Sequence, residues 1–211
     1  INYFIITSLK NYGYDDLEPD GVALCRFEKY STKLTDLYVN TYVDRNVESG
    51  TTYYYSNNLG DNVVAITYLD RPTVTVKATG STTANISWKE VKGAEGYYVY
   101  QSTTGKKGSW TKIGNLSADK RSINAKKLLP ETNYYFCVKA YKGKDISYGT
   151  TKTVKTNALA KTFTGFVSCG NDKYYAKNGK IQKSLTSMVK VDGKYYYVKK
   201  GALAKNSTGF V

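Results

Sequence analysis

The chain has 211 residues, 22 tyrosines, a net charge of +14 and no histidine. This length allows two or three small domains, and without histidine neither Ser-His-Asp nor Cys-His catalysis is available. No run of 18 or more apolar residues occurs, so we expect no membrane insertion. Tyrosine, threonine and valine are plentiful and favour strands. We therefore predict an all-β protein. We also expect no cofactor.

The first segment contains strand-like runs and one acidic loop. The runs lie at 1–8, 21–27 and 63–68. The sequence after Tyr55 is too short and polar for a full sixth strand. The loop at 15–20 is rich in Asp and could offer oxygen ligands to calcium, but it lacks the spacing of an EF-hand. We predict no metal site in the chain.

The middle segment carries seven short strand-like runs separated by turn residues, a pattern typical of a β-sandwich. These runs are 72–76, 84–88, 96–100, 110–113, 121–125, 128–140 and 151–154. By strand alternation Phe136, Val138 and Ala140 share the inward face with Tyr134, and Cys137 lies on the other face.

The order of residues in this segment resembles a fibronectin type III domain. The resemblance rests on Trp88, Gly96-Tyr97, the run Leu128-x-Pro-x-Thr-x-Tyr134 and Val138-x-Ala140. It implies that Trp88 fills the core between the sheets and that Tyr134 bonds its hydroxyl to backbone across a corner. Residues 41–53 align with 122–134 at an offset of 81, so the front looks like a degenerate second copy. Its corner tyrosine is Tyr53. The resemblance implies an extracellular spacer or interaction module, and no Arg-Gly-Asp sequence supports integrin recognition.

The three cysteines do not form a disulfide framework, which requires an even number within one compact unit. Cys25, Cys137 and Cys169 fall in three different segments. We predict free thiols.

A nine-residue pattern recurs with a period of 22 residues, at 159–167, 181–189 and 203–211. A fixed period of this length predicts a stack of small units in which each covers its neighbour's apolar face. The second unit has strand-like runs at 187–191 and 194–199 joined by Asp192-Gly193, a strong hairpin signal. We therefore predict tandem fibronectin type III-like sandwiches followed by a short stack of β-hairpin repeats.

The repeats resemble the cell-wall-binding repeats of Gram-positive surface proteins, of the choline-binding type. In that family an aromatic cage holds the choline cation. Phe166, Met188 and Phe210 occupy one tryptophan position of the pattern, and Lys173 occupies another. Because a lysine repels a cation, we do not expect choline binding.

Aromatic side chains of the repeats are the candidate ligand contacts, because tyrosine rings can stack on sugar rings while lysines meet acidic groups. The candidates are Tyr174, Tyr175, Tyr195, Tyr196, Tyr197 and Phe166. The alternative is that these rings fill the interior of the stack.

Positive charge is concentrated away from the front. Residues 1–70 carry 5 basic and 10 acidic side chains, residues 71–157 carry 16 and 5, and residues 158–211 carry 10 and 2. Teichoic acid or an acidic glycan fits this distribution, and a merely solvated lysine surface is the alternative. Lysines far outnumber arginines, and arginine recognises phosphates and bases better. We expect no nucleic acid partner.

The predicted organisation is a degenerate sandwich at 1–70, a sandwich at 71–157 and hairpin repeats at 158–211. The resemblances imply a non-catalytic C-terminal region of a secreted or surface protein of a Gram-positive bacterium. It would act at the cell wall or cell surface as a spacer and attachment module, and as a monomer. The alternative is a carbohydrate-binding accessory region of a secreted glycan-active enzyme. We predict no catalytic residues.

Overall fold

A computed structural model describes residues 4–7, 22–27, 31–37, 41–56 and 64–204, with side chains described for 44–55 and 64–204. Every regular element in these ranges is a β-strand, which confirms the predicted all-β class. The acidic loop at 15–20 and most of the third nonapeptide, 205–211, lie outside the described residues. No helix in the described part of the chain is long and apolar enough to cross a membrane.

The strands of the front segment are β1 Phe4–Thr7, β2 Val22–Phe27, β3 Ser31–Leu37, β4 Thr41–Asp44, β5 Thr52–Ser56 and β6 Val64–Thr67. Those of the middle domain are β7 Val74–Ala78, β8 Ala84–Trp88, β9 Gly96–Ser102, β10 Thr111–Ser117, β11 Ser122–Ala125, β12 Asn133–Lys142, β13 Asp145–Ile146 and β14 Thr150–Lys155. The rear segment has β15 Gly165–Cys169, β16 Asp172–Lys177, β17 Lys180–Ile181, β18 Ser187–Val191, β19 Lys194–Lys199 and β20 Ala202–Leu203.

The middle domain contains two antiparallel sheets that enclose one hydrophobic core. One sheet has the order β11-β8-β7, and the other has β10-β9-β12-β13 with β14 also paired to β12. Alternate side chains of β8 are buried, as expected for a strand with one face on a core. Trp88 lies in this core, with its ring centroid 5.3 Å from that of Tyr97. The predicted position of Trp88 is therefore confirmed.

Two strands of the middle domain begin more than one residue after the predicted start, where proline and the corner loop intervene. The first strand begins at Val74 instead of Pro72, which has no N–H to donate to a ladder. The sixth begins at Asn133, because residues 128–132 form the corner that precedes it. Alternation placed the inward residues of this strand correctly, since Tyr134, Phe136, Val138 and Ala140 all belong to the core.

Cys137 points to the opposite face of β12, as predicted, yet it is also buried. The reason is the close approach of Gly149, where an added Cβ would lie 2.3 Å from the Cys137 sulfur. The thiol is free, and so is that of Cys169.

The front segment repeats the strand pairing of the middle domain. β1 pairs with β4 as β8 pairs with β11, and β2 pairs with β5 as β9 pairs with β12. β6 pairs with β5 as β14 pairs with β12. Within the described residues β5 has 5 residues and β12 has 10. The short polar stretch that follows β5 lies outside the described residues.

The rear segment contains two hairpins in one sheet, with the strand order β15-β16-β20-β19-β18 and β17 paired to β16. β18 and β19 form the hairpin with Val191 opposite Lys194. Asp192 and Gly193 connect them with φ angles of 48° and 80°. Positive φ at both central residues is the backbone of the type I′ turn, which matches the twist of antiparallel strands.

Candidate functional site

The six candidate aromatics lie on the two rear hairpins, and strand alternation divides them between opposite faces. In the first hairpin Phe166 is the cross-strand partner of Tyr175, so the two share a face. Tyr174 points to the other side. In the second hairpin Tyr195 and Tyr197 share one face, and Tyr196 occupies the other. The candidates therefore do not form a single surface.

Three of the candidates pack against one another between the hairpins. The ring centroid of Phe166 lies 5.9 Å from that of Tyr175 and 5.2 Å from that of Tyr196, both in edge-on geometry. Val189 and Val198 of the second hairpin belong to the same cluster. Edge-to-face rings over buried valines are a typical core arrangement. These three rings contribute to the packing between the hairpins.

Tyr174 packs on the opposite side of the first hairpin. It contacts the cluster of Val167, Cys169 and Ala176, and Leu129 of the middle domain belongs to this cluster as well. The ring therefore lies near the contact between the first hairpin and the middle domain.

Tyr195 and Tyr197 are the candidates that face solvent, with 44% and 40% of their surface exposed. Their cross-strand partners are Lys190 and Met188. The Lys190 ammonium lies 5.2 Å from the centroid of the Tyr195 ring, within the range of a cation–π contact. Sequence reasoning did not identify Lys190 as a member of this surface, although the hairpin register predicted from Asp192 places it there.

The turns of the two hairpin units make the same backbone hydrogen bonds 22 residues apart. The amide of Gly179 donates to the carbonyl of Phe163, and that of Gly201 donates to that of Leu185, each at 2.8 Å. Added Cβ atoms would lie 2.7 Å and 2.5 Å from backbone carbonyl oxygens at these two glycines. The sequence period is thus also a period of backbone geometry.

The first hairpin contacts the corner loop of the middle domain. The amide of Gly170 donates to the carbonyl of Lys127 at 2.7 Å, and the Cys169 thiol donates to the carbonyl of Leu128 at 3.3 Å. Burial raises the pKa of Cys169 to about 11. A buried thiol with a raised pKa is a poor nucleophile, so the structure gives Cys169 a packing role.

The corner loop of the middle domain is held by Tyr134. The amide of Leu129 donates to its hydroxyl at 2.9 Å, which confirms the predicted corner tyrosine. Burial is the main cause that raises the pKa of Tyr134. In the front segment the amide of Glu48 donates to the hydroxyl of Tyr53 at 2.8 Å, which is the same bond 81 residues earlier.

The front corner loop also contacts the module that follows it. The Ser49 hydroxyl donates to the carbonyl of Lys92 at 3.0 Å and accepts from the amide of Asp70 at 3.0 Å. Gly50 and Gly93 meet so closely that a Cβ on Gly93 would lie 2.2 Å from the Gly50 Cα. Both corner loops therefore hold a neighbouring module by direct backbone contact.

The described residues contain no group of three or more His, Cys, Asp or Glu side chains placed to hold a metal ion. The exposed side chain of Lys173 occupies the first position of its tyrosine run. The chemical groups that the rear hairpins offer to solvent include ammonium groups and tyrosine rings, and these suit contacts with anions and with sugar rings.

Residues 70–156 match the family model of the fibronectin type III domain. The chain therefore contains a fibronectin type III domain, as the sequence of the middle segment predicted.

Among solved structures, the chain is similar to a two-domain fibronectin type III segment of chicken tenascin. The two are 18% identical with a TM-score of 0.41, and the match covers 65% of this chain and 85% of the tenascin segment. It is also similar to the FN1–FN3 domains of chicken CNTN1, with 22% identity and a TM-score of 0.40. That match covers 65% of this chain and 54% of the CNTN1 chain. A comparison with curated proteins gives no match.

Proposed function

We propose that this chain is a non-catalytic spacer and cell-wall attachment region of a secreted or surface protein of a Gram-positive bacterium. The observation that carries the spacer role is the repeated contact between each corner loop and the next module. Ser49 bonds Lys92 at the first junction, and Lys127 bonds Gly170 at the second. Contacts of this kind oppose bending between modules and so keep the two ends apart.

We further propose that the front segment is a second fibronectin type III-like sandwich. Its strand pairing, the corner bond of Tyr53 and the buried Val47 support this interpretation. One core position differs, since Asp44 takes the place of Ala125. Its carboxylate is buried and accepts a hydrogen bond from the Tyr55 hydroxyl at 3.0 Å, which satisfies a charge that would otherwise be costly to bury.

In this proposal the rear hairpins attach the chain to an anionic wall polymer such as teichoic acid. Residues 158–211 carry 10 lysines and only 2 acidic residues, and the exposed lysines include Lys173, Lys177, Lys190 and Lys199. A surface with one sign of charge attracts a polyanion and loses affinity as salt rises. The 22-residue pattern, which resembles wall-binding repeats, supports the same ligand class and an extracellular location.

The alternative function is a carbohydrate-binding accessory region of a secreted glycan-active enzyme. The observation that favours it is the exposure of Tyr195 and Tyr197 on one face of one strand. Two tyrosines two positions apart on a strand are separated by roughly 7 Å, which is suitable for contact with successive rings of a polysaccharide.

Sedimentation of the chain with purified, teichoic-acid-bearing cell walls tests the attachment proposal. We expect binding that weakens steeply between low and physiological salt. The double variant Lys173→Gln and Lys190→Gln should bind less well. The control, Lys106→Gln with Lys107→Gln, removes the same charge from a loop of the middle domain and should bind normally.

Equal loss in both double variants would mean that only net charge matters, and the rear hairpins would then not be the attachment site. Saturable binding to a defined soluble glycan, abolished by Tyr195→Ala but not by Tyr148→Ala, would favour the alternative function. Tyr148 is a suitable control because it is an exposed tyrosine of the middle domain, with 47% of its surface accessible.

A further inference from the structure

The turn between β16 and β17 contains the one asparagine of the sequence that is followed by glycine, Asn178-Gly179. Glycine has no side chain to shield its own amide nitrogen, so this nitrogen can reach the side-chain carbonyl carbon of Asn178 when the backbone is free to rotate. Asparagine is among the thermolabile residues. Asn178 is exposed, so water has access to it. The groups needed for deamidation are therefore all present at this turn.

In the folded chain the attacking nitrogen is held in another contact. The Gly179 amide donates to the carbonyl of Phe163 at 2.8 Å. The amide of Asn178 donates to the Thr164 hydroxyl at 3.2 Å. Gly179 is buried, and a Cβ added to it would lie 2.7 Å from the carbonyl oxygen of Ala160. The segment before β15 therefore fixes both residues of the turn and leaves little room for the rotation that the attack requires.

We propose that Asn178 is a latent deamidation site that reacts when the β16–β17 turn detaches from the segment before β15. The Gly179 nitrogen then bonds to the side-chain carbonyl carbon of Asn178. The C–N bond of the side-chain amide breaks, and ammonia leaves with the proton of the Gly179 amide, so that a succinimide ring remains. Water opens this ring at either carbonyl and gives aspartate or isoaspartate. Water is the only co-reactant.

The two products have different effects on the turn. Aspartate is compatible with it, because Asp192 occupies the same position of the β18–β19 turn with a φ of 48°, against 50° for Asn178. Isoaspartate adds one methylene group to the backbone between Lys177 and Lys180, which pair directly across the turn. The register of a two-residue connection depends on its length and turn type. Isoaspartate should therefore prevent the turn from re-forming, and chemical modification of the open state makes the opening irreversible.

The second unit of the rear segment supplies a matched control residue. Lys200 lies 22 residues after Asn178, has the same φ of 50° and is likewise followed by a glycine, Gly201. Its amide donates to the Thr186 hydroxyl at 3.0 Å, which is the equivalent of the bond to Thr164. Lysine is thus accommodated in this turn and has no side-chain amide to lose. Asn178→Lys should fold as the parent does and should not deamidate.

The rate of ammonia loss tests the protection of Asn178. The chain is incubated at mildly alkaline pH with and without denaturing guanidinium chloride, and peptide mapping by mass spectrometry follows this residue. We expect deamidation to be at least about tenfold slower in the folded chain, and slowed by the same factor as hydrogen exchange of the Gly179 amide, because both require the same local opening. Equal rates in the two conditions would overturn the proposal. Deamidation slowed less than exchange would overturn it as well, because the reaction would then occur within the closed turn.

Two threonine variants test whether the turn itself gives the protection. Thr164→Val removes the acceptor of the Asn178 amide and should accelerate deamidation of the folded chain. Thr186→Val removes the equivalent acceptor in the second unit and should accelerate it less. Equal acceleration would mean that only the stability of the whole rear segment matters, and the assignment of the protection to this turn would be wrong.

Refolding after prolonged unfolding tests the irreversible step. The Gln182 amide donates to the carbonyl of Tyr175 at 3.0 Å, so its hydrogen exchange reports the closed turn. Molecules that carry isoaspartate at 178 should lose this protection, whereas Asn178→Lys unfolded for the same time should regain it. Freshly prepared Asn178→Asp should be protected too. Protection in the isoaspartate fraction would refute irreversibility, and its loss in Asn178→Lys would place the damage at another residue.

Discussion

Replacing Gly93 with alanine should weaken the contact between the front segment and the middle domain. Gly93 has a φ of +80°, and its added Cβ would lie 2.2 Å from the Cα of Gly50 and 3.3 Å from two further backbone atoms. Backbone cannot move aside as a flexible side chain can. The new methyl group therefore either strains the loop or separates the two glycines.

The expected cost has two parts that a control variant separates. An L-residue in the left-handed region costs about 1–2 kcal/mol, and overpacking adds about 1–3 kcal/mol. Gly143→Ala is the control, because Gly143 also has a positive φ, +54°, but no atom lies within 4 Å of its added Cβ. Gly93→Ala should thus lower the free energy of unfolding more than Gly143→Ala, by about 1–3 kcal/mol.

Denaturant unfolding measures both variants, and amide hydrogen exchange locates the effect. The amide of Asp70 donates to the Ser49 hydroxyl, so its exchange should accelerate in Gly93→Ala and stay unchanged in Gly143→Ala. Equal unfolding free energies with unchanged exchange of Asp70 would refute the tight approach of Gly50 and Gly93 in solution.

Three further changes test other parts of the structure. Tyr134→Phe leaves the amide of Leu129 without its acceptor and should cost about 1–3 kcal/mol in denaturant unfolding; no loss would mean that water replaces the hydroxyl. The pKa of the Cys169 thiol is about 11 in the folded chain, against 9.0 for the free thiol. The free energy of unfolding should therefore be highest below pH 9 and fall between pH 9 and 11, because the unfolded chain loses this proton first. Cys169→Ala should show a shallower fall than the parent in denaturant unfolding at these pH values. Gly201→Ala should destabilise the rear hairpins by about 2–5 kcal/mol, because it adds both backbone strain and a steric clash. The control is Gly193→Ala, which has a similar φ and open space around its added Cβ and should therefore cost only the backbone strain. Equal costs would contradict the close contact at Gly201.

The sequence was sufficient to predict features that depend on local chemistry. The hairpin from Ser187 to Lys199 follows from Asp192-Gly193 between alternating runs, and the structure places its strands at the predicted residues. The corner bond of Tyr134 was predicted from the resemblance of its loop to that of a fibronectin type III domain. Both are determined within about a dozen residues, where turn geometry and alternation leave few choices.

Features that depend on contacts between distant segments could not be predicted in the same way. Alternation states that Tyr196 and Tyr197 face opposite sides, but only the packing against Phe166 decides that Tyr196 is covered. The burial of Cys137 likewise depends on the approach of Gly149, which lies between β13 and β14. The sequence therefore left open which of the six candidate aromatics are packed and which are exposed, because periodicity identifies faces without indicating what lies against them.

The two corner tyrosines connect the interior of each sandwich to its junction with the next module. Tyr53 and Tyr134 are buried, and each hydroxyl fixes one loop amide from within the core. The residues beside those amides then make the junction contacts, Ser49 in the first loop and Leu128 in the second. A loop already held by its own core loses little conformational freedom when a neighbour docks on it. Removing either hydroxyl should therefore loosen a junction as well as a corner, because the same short loop serves both.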